Sequence, residues 1–458
     1  MRYVSTRGRA PALGFCDTLL AGLASDGGLY VPETWPALTD TRPGESYASV
    51  AAGVVGAFAG DELAPALLEQ VCSEAYAGFR HPAVCPLVQL DAGEWLLELF
   101  HGPTLAFKDL ALQLVGRLFE HVLSERDQRI TVLVATSGDT GSAAISGLAS
   151  CSRAQIVVLY PEGRVSDVQR RQMTTVDAPN VHAVAVEGTF DDCQRILKEL
   201  FGDAALRERA GLAAMNSINW ARIAAQIAYY AWATASLGDR ALAFAVPTGN
   251  FGNVLSGWVA RACGLPLERL VIGSNANDIL PRLLESGRLE TRGVVPTLSP
   301  SMDIQISSNL ERLLFELFGR DPERTARELA RFVQTGSLTL DTAALAALRE
   351  LFEAASLDDE ETLEAMRGEY RRSGTLLDPH TAVGLTAGRA REAARDAPLV
   401  ALATAHPAKF PEAVERATGI SPPLPPPLAD LHERPERSER VPADTAAIRN
   451  LVERVAAA

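Results

Sequence analysis

The sequence predicts an α/β fold with mostly parallel sheets and flanking helices. Two observations carry this expectation. Short, β-branched apolar runs alternate with helical patterns, as parallel strands buried on both faces must. Two Gly-rich loops, residues 136–142 and 247–253, fall at strand-to-helix junctions, the place where such sheets open into ligand sites.

Taken in order, residues 1–95 read as a first block. It holds the turn Asp26-Gly27-Gly28, a short strand at Leu29–Pro32, and helices near 47–58 and 63–79. An amphipathic helix is expected at 110–118. Strands follow at 129–135, 156–160, 182–186, 241–246, 270–273 and 399–403, with helices near 142–148, 191–201 and 254–263 between them. Residues 311–372 read as helical and charged throughout. The run Pro422–Pro427 reads as a stiff extended segment leading to a last helix near 444–455.

Composition removes several function classes. The 458 residues carry a net charge of −14, which repels nucleic acid and anionic lipid, so neither is expected as a partner. No apolar run has the roughly 20 residues of a spanning helix, and Arg2, Arg7, Arg9 and Asp17 interrupt the beginning where a signal peptide would need an apolar core. The six cysteines are scattered without a CxxC pair, which reads as reduced thiols of a cytoplasmic protein and gives no metal site.

Lysine is scarce. Only Lys108, Lys198 and Lys409 could supply a side-chain amine for imine chemistry, because arginine stays protonated. Lys108 follows an apolar stretch in His101–Asp109 and opens a helix, a setting that desolvates the amine and lowers its pKa. Lys198 lies on the polar face of a helix, and Lys409, after His406-Pro407-Ala408, stays ambiguous on spacing. The loop Pro247–Asn253 offers backbone N–H groups at a helix start, the geometry wanted for a phosphate, without the Walker or GxGxxG spacing. Thr136–Ser142 offers hydroxyls and amides suited to a carboxylate. Thr404 stands at the end of the last apolar strand, and His406 beside it is a possible base or a structural histidine. An amine for an aldehyde, a loop for a phosphate and a hydroxyl for a ring nitrogen converge on pyridoxal 5'-phosphate as cofactor.

At these residues the chain resembles the threonine synthases. HGPTLAFKD (101–109), SGDTGSAA (137–144), Met215–Arg222, PTGNFGN (247–253), Ser301–Ile304 and Ser307–Arg312 occur in the family's order, with Tyr3–Gly8 and Asp26–Pro32 matching near the start. The resemblance is to the longer bacterial and fungal form. It implies pyridoxal-phosphate fold type II plus an N-terminal domain at 1–95. It implies a catalytic unit at 96–420, with a smaller mobile subdomain at roughly 110–195, and a C-terminal Pro-rich segment and helix at 421–458. It implies conversion of O-phospho-L-homoserine and water to L-threonine and phosphate, by γ-elimination and β-addition of water, in a monomer or homodimer. Lys108 would form the Schiff base. Gly249, Asn250, Phe251, Gly252 and Asn253 would cradle the cofactor phosphate, and Thr404 would meet the pyridine nitrogen. Thr104, Ser137, Asp139 and Thr140 would hold the substrate, with Asn216, Ser217 and Arg222 near its phosphate. The alternative within the same fold is a phospholyase or a serine/threonine dehydratase-like lyase. A non-catalytic relative on the same scaffold is disfavoured by the intact lysine and loops, and a nicotinamide oxidoreductase by the missing GxGxxG.

Overall fold

A computed structural model describes residues 1–38, 41, 44–238, 240–391 and 397–457. Two sheets organise it. The larger has six strands in the order 352–356, 267–274, 242–247, 399–403, 94–98, 87–91, all parallel except the last pair. The smaller has five parallel strands in the order 439–442, 181–187, 154–161, 130–135, 212–213. Two short antiparallel pairs, 3–5 with 30–32 and 288–290 with 337–339, complete the pairing.

The strands are apolar because helices cover both faces, and the two-residue period divides their side chains between separate cores. Phe244, Val246, Val400 and Leu402 enter the main core, while Ala243, Ala245, Leu399 and Ala401 face a second one. In the smaller sheet Val132, Val134, Ile156 and Val158 join the main core. Leu133, Val157, Leu159, Val184 and Val186 face outward onto a third, closed by Cys193, Ile196, Ile448, Leu451 and Val452.

The expected strands at 129–135, 156–160, 182–186, 241–246, 270–273 and 399–403 are all present, within a few residues of the expected ends. Four features differ. The hairpin 87–98 belongs to the larger sheet, so that sheet begins before residue 96. The segment 311–372 is not helical throughout: Phe352–Ser356 pairs with residues 270–274 as an edge strand, and Ser337–Thr339 forms a short one. Neither has a β-rich composition, and tertiary pairing decides both. The smaller sheet runs to residue 213 and takes its edge strand from Glu439–Pro442, beyond the prolines. The helix Trp220–Ser236 has 15 of its 17 residues buried. The sequence pattern predicts no element over this stretch.

One packing detail sets up the site. Helices Lys108–Glu125 and Asp139–Leu148 meet at Gly116 and Gly147, where a Cβ on either would overlap the other helix's backbone. This close approach brings the two helix starts, Lys108 and Asp139, side by side.

Candidate active site

The carboxyl ends of the strands at 130–135, 242–247 and 399–403 open on one cleft of about 650 Å³ of empty space, part of it open to solvent. Of the residues expected from sequence, Lys108, Asp139, Thr140, Ser217, Arg222, Gly249, Asn250, Gly252, Asn253 and Thr404 line it.

Lys108 begins its helix with its side chain 12% exposed. Its Nζ lies 3.3 Å from Asp139 Oδ2 and 4.9 Å from the Phe107 ring centroid. Burial lowers its pKa, with Lys409 and Arg222 adding to the effect and Asp139 opposing it. The amine is thereby readier to lose its proton than an exposed lysine, as the sequence predicts.

The loop after strand 242–247 is tied down through its carbonyls and side chains. Gly249 C=O accepts from Ser307 Oγ at 2.7 Å, Asn250 C=O accepts from Asn309 N–H and Nδ2 at 3.1 Å, and Asn253 Nδ2 donates to Pro247 C=O at 2.7 Å. Phe251 is 1% exposed and sits at φ 63° just before the helix Gly252–Ala262. It shapes the turn with its backbone, and its ring faces Phe352 and not the cleft. Among the described residues the amides of 249–253 have no acceptor within the chain. A cluster of free donors at a helix N-terminus fits a phosphate group. Gly249 has no room for a side chain, since a Cβ would overlap the Ser301 carbonyl. Gly249→Ala should therefore displace the loop and weaken cofactor binding roughly 10- to 100-fold, the range of an overpacked site, in a titration followed by absorbance.

Arg222 is 4% exposed on the buried helix Trp220–Ser236, with Gln226 one turn on. Nη1 donates to Met215 C=O at 3.2 Å, while Nε has no partner among the described residues. Burial alone lowers its pKa to about 10, and no carboxylate offsets that. A buried guanidinium facing a cleft without an acid partner fits an anionic ligand.

Four expected residues lie off the cleft wall. Besides Phe251, Thr104 is turned away: its hydroxyl donates to Asp109 Oδ1 at 2.6 Å and its N–H to Oδ2 at 2.8 Å. Asn216 accepts from Ile218 N–H at 3.2 Å and caps its own turn. Ser137 precedes the wall formed by Asp139 and Thr140. The Asp139 side chain is engaged with cations: Lys108, and Lys409 Nζ at 2.7 Å. Its pKa is held well below the usual carboxylate range, the two ammonium groups outweighing burial. An ionised carboxylate repels a substrate carboxylate, so only hydroxyl and amide groups of this helix start suit that task.

The sequence reading missed Ser301, Met302, His380 and Gln226 on the wall. Ser301 N–H donates to His380 Nε2 at 3.3 Å, which leaves Nδ1 to donate to Asp378 Oδ1 at 2.9 Å. The Ser301–Ile304 and Ser307–Arg312 motifs were the available signal. Arg312, 1% exposed, joins Tyr30 C=O, Ile218 C=O and Asn309 Oδ1, while Glu311 takes both nitrogens Nε and Nη2 of Arg7. The opening residues thus brace the loop behind residues 249–253.

His406 is not on the wall. Its Nδ1 accepts from Ala408 N–H at 3.1 Å and its ring meets Phe100 edge-on, a structural role. Burial, then Arg80 and His101, push its pKa down to about 4 from 6.5. The unfolded chain takes this proton first, so stability is intact above pH 6.5 and is lost as pH falls towards 4. The loss is on the order of 3 kcal/mol. His406→Asn keeps an acceptor for Ala408 and should flatten that part of the urea-midpoint curve against pH.

Comparison with known proteins agrees with this geometry. Family profiles described as threonine synthase N terminus, pyridoxal-phosphate dependent enzyme, and threonine synthase C-terminal match residues 2–76, 80–405 and 381–452. The threonine synthase of Pseudomonas aeruginosa is 50% identical, over 99% of this chain and 98% of that protein. This chain belongs to the threonine synthase family. Among solved structures, pyridoxal-phosphate-bound threonine synthase of Brucella melitensis matches with TM-score 0.96 and 50% identity, over 100% of both chains. Yeast threonine synthase matches with TM-score 0.92 and 39% identity, over 100% of this chain and 99% of that one. The fold of the family, its cofactor and its class as a pyridoxal-phosphate-dependent lyase are those expected from sequence. Among the described residues no helix is long and apolar enough to cross a membrane, and no cluster of metal-ligating side chains occurs.

Proposed function

We propose that this cleft converts O-phospho-L-homoserine and water to L-threonine and phosphate, the reaction that closes threonine biosynthesis, with Lys108 as the residue that carries the cofactor and moves protons. The supporting observation is the arrangement of three groups on one cleft: a desolvated amine at Lys108, free amides at 249–253 and, at Arg222, a buried guanidinium that no carboxylate meets among the described residues. When bound, pyridoxal phosphate supplies an aldehyde for an amine and a sink for the charge left by proton removal.

The roles of the chain's own groups follow from charge and position. Lys108 Nζ would hold the cofactor aldehyde, and as a free amine it would take the α-proton and return a proton later. The amides of 249–253 would hold the cofactor phosphate, and the Thr404 hydroxyl would meet the ring nitrogen. A neutral hydroxyl there, in place of a carboxylate, would favour an unprotonated nitrogen. Thr140 and the amides at the start of helix Asp139–Leu148 hold the substrate carboxylate. Arg222 with Ser217 binds the substrate phosphate and stabilises it as it departs. Closing the smaller sheet and its helices over the cleft would control the entry of water. Six buried free cysteines accord with a reducing cytoplasmic setting. We take the active form to be a monomer or homodimer.

The test is product analysis with O-phospho-L-homoserine. Threonine and phosphate in equal amounts support the proposal. Phosphate with 2-oxobutyrate instead assigns the chain to the phospholyase alternative.

A further inference from the structure

Of the three lysines, Lys409 is the most deeply enclosed, with no exposed surface. It ends the short turn Pro407–Lys409 that follows the strand Leu399–Ala403. Its Nζ donates to Thr104 C=O at 2.8 Å and lies 2.7 Å from Asp139 Oδ1. Lys108 holds the other oxygen of the same carboxylate, at 3.3 Å. Gln169 Nε2 donates to Oδ1 at 2.9 Å and Ser301 Oγ to Oδ2 at 3.4 Å. The other nearby acid, Asp109, is occupied by Thr104. Two buried ammonium groups therefore share one counter-ion, and the one off the cleft wall has the shorter contact.

A buried cation is costly where an apolar residue could fill the space, so its retention calls for a reason. We propose that Lys409 is a positioning residue: it fixes Asp139 and draws that carboxylate's charge away from Lys108, keeping the Lys108 nitrogen available as a proton acceptor. The inference rests on the assignment of Lys108 as the cofactor lysine. The charged and titratable groups facing Lys108 are Asp139, Lys409, Arg222 from the helix Trp220–Ser236, and His380 from the helix Pro379–Arg389. Those facing Lys409 are Asp139, Asp109 and His406, and Asp378 stands behind His380. Among them only Asp139 contacts both lysines.

The experiment compares the holoenzyme with Lys409→Met and Lys409→Arg. Two quantities are read: the pH midpoint of the cofactor's visible band, and the acid limb of the kcat profile. Without the second cation Asp139 acts on Lys108 alone, so both midpoints should rise by about 1–2 pH units, the scale of an adjacent opposite charge. Lys409→Arg should bring them back towards the wild-type values. Lower activity with unmoved midpoints means a merely structural lysine and overturns the proposal. Should the Met variant fail to fold, Lys409→Gln, which can still donate to Thr104, carries the same test, and loss of folded protein in both also overturns it. Borohydride reduction with mass mapping keeps the two claims apart. An adduct away from Lys108 removes the cofactor-lysine assignment itself, whereas an adduct on Lys108 with fixed midpoints removes only the role of Lys409.

Discussion

Replacing Lys108 by alanine should abolish the visible absorbance of the linked cofactor and lower kcat roughly 10⁴-fold or more, because the change removes both the covalent anchor and the proton carrier. The other two amines cannot substitute. Lys409 has no exposed surface and is held by Asp139 and Thr104. Lys198 lies on the helix Phe190–Gly202, outside the cleft wall. The check is an absorbance spectrum and a single-turnover assay of the purified variant. Retained colour with full activity would refute the assignment. Asp139 loses one of its two cations in this variant and keeps Lys409, so the fold should persist.

Arg222→Met should weaken the use of O-phospho-L-homoserine by roughly 10²- to 10³-fold in kcat/KM, the scale of losing a charge-assisted contact to phosphate in a site sheltered from water. Inhibition by inorganic phosphate should fall in parallel. The expected signature has a second half. Among the described residues, buried Arg222 has no acid partner and its Nε has no acceptor. A methionine of similar length should therefore leave the thermal midpoint unchanged or raise it. A lowered midpoint with unchanged affinity would make Arg222 a structural residue and move the phosphate site elsewhere. Steady-state kinetics with phosphate as inhibitor, together with calorimetry, distinguishes the two.

Particular residues show what could be read before the structure. The strands at 130–135, 154–161, 181–187, 242–247, 267–274 and 399–403 announce themselves because burial on both faces demands unbroken apolar runs. Lys108 and the 247–253 loop were legible because scarcity and glycine spacing are properties of the chain alone. Arg222 is legible only through a resemblance, since nothing local in the sequence marks one arginine of a buried helix as a ligand group. Thr104 lies off the cleft wall for a local reason. Its hydroxyl satisfies Asp109 five residues on, a local bond that competes with any ligand. The relation between Asp139 and Lys409 was out of reach, because it depends on two helices meeting at Gly116 and Gly147 and on a strand end arriving from far along the chain.

The strand Glu439–Pro442 and helix Thr445–Ala456 complete the smaller sheet at its edge and on its outer face. During synthesis residues 130–213 emerge long before these partners exist. Until then Val184, Val186, Leu133 and Leu159 lack the cover of Ile448, Leu451 and Val452, and the strand Val181–Glu187 presents a bare edge to other chains. The half-made protein therefore passes through a sticky interval on the ribosome, and a chaperone that shields exposed strand edges would bind it most strongly then.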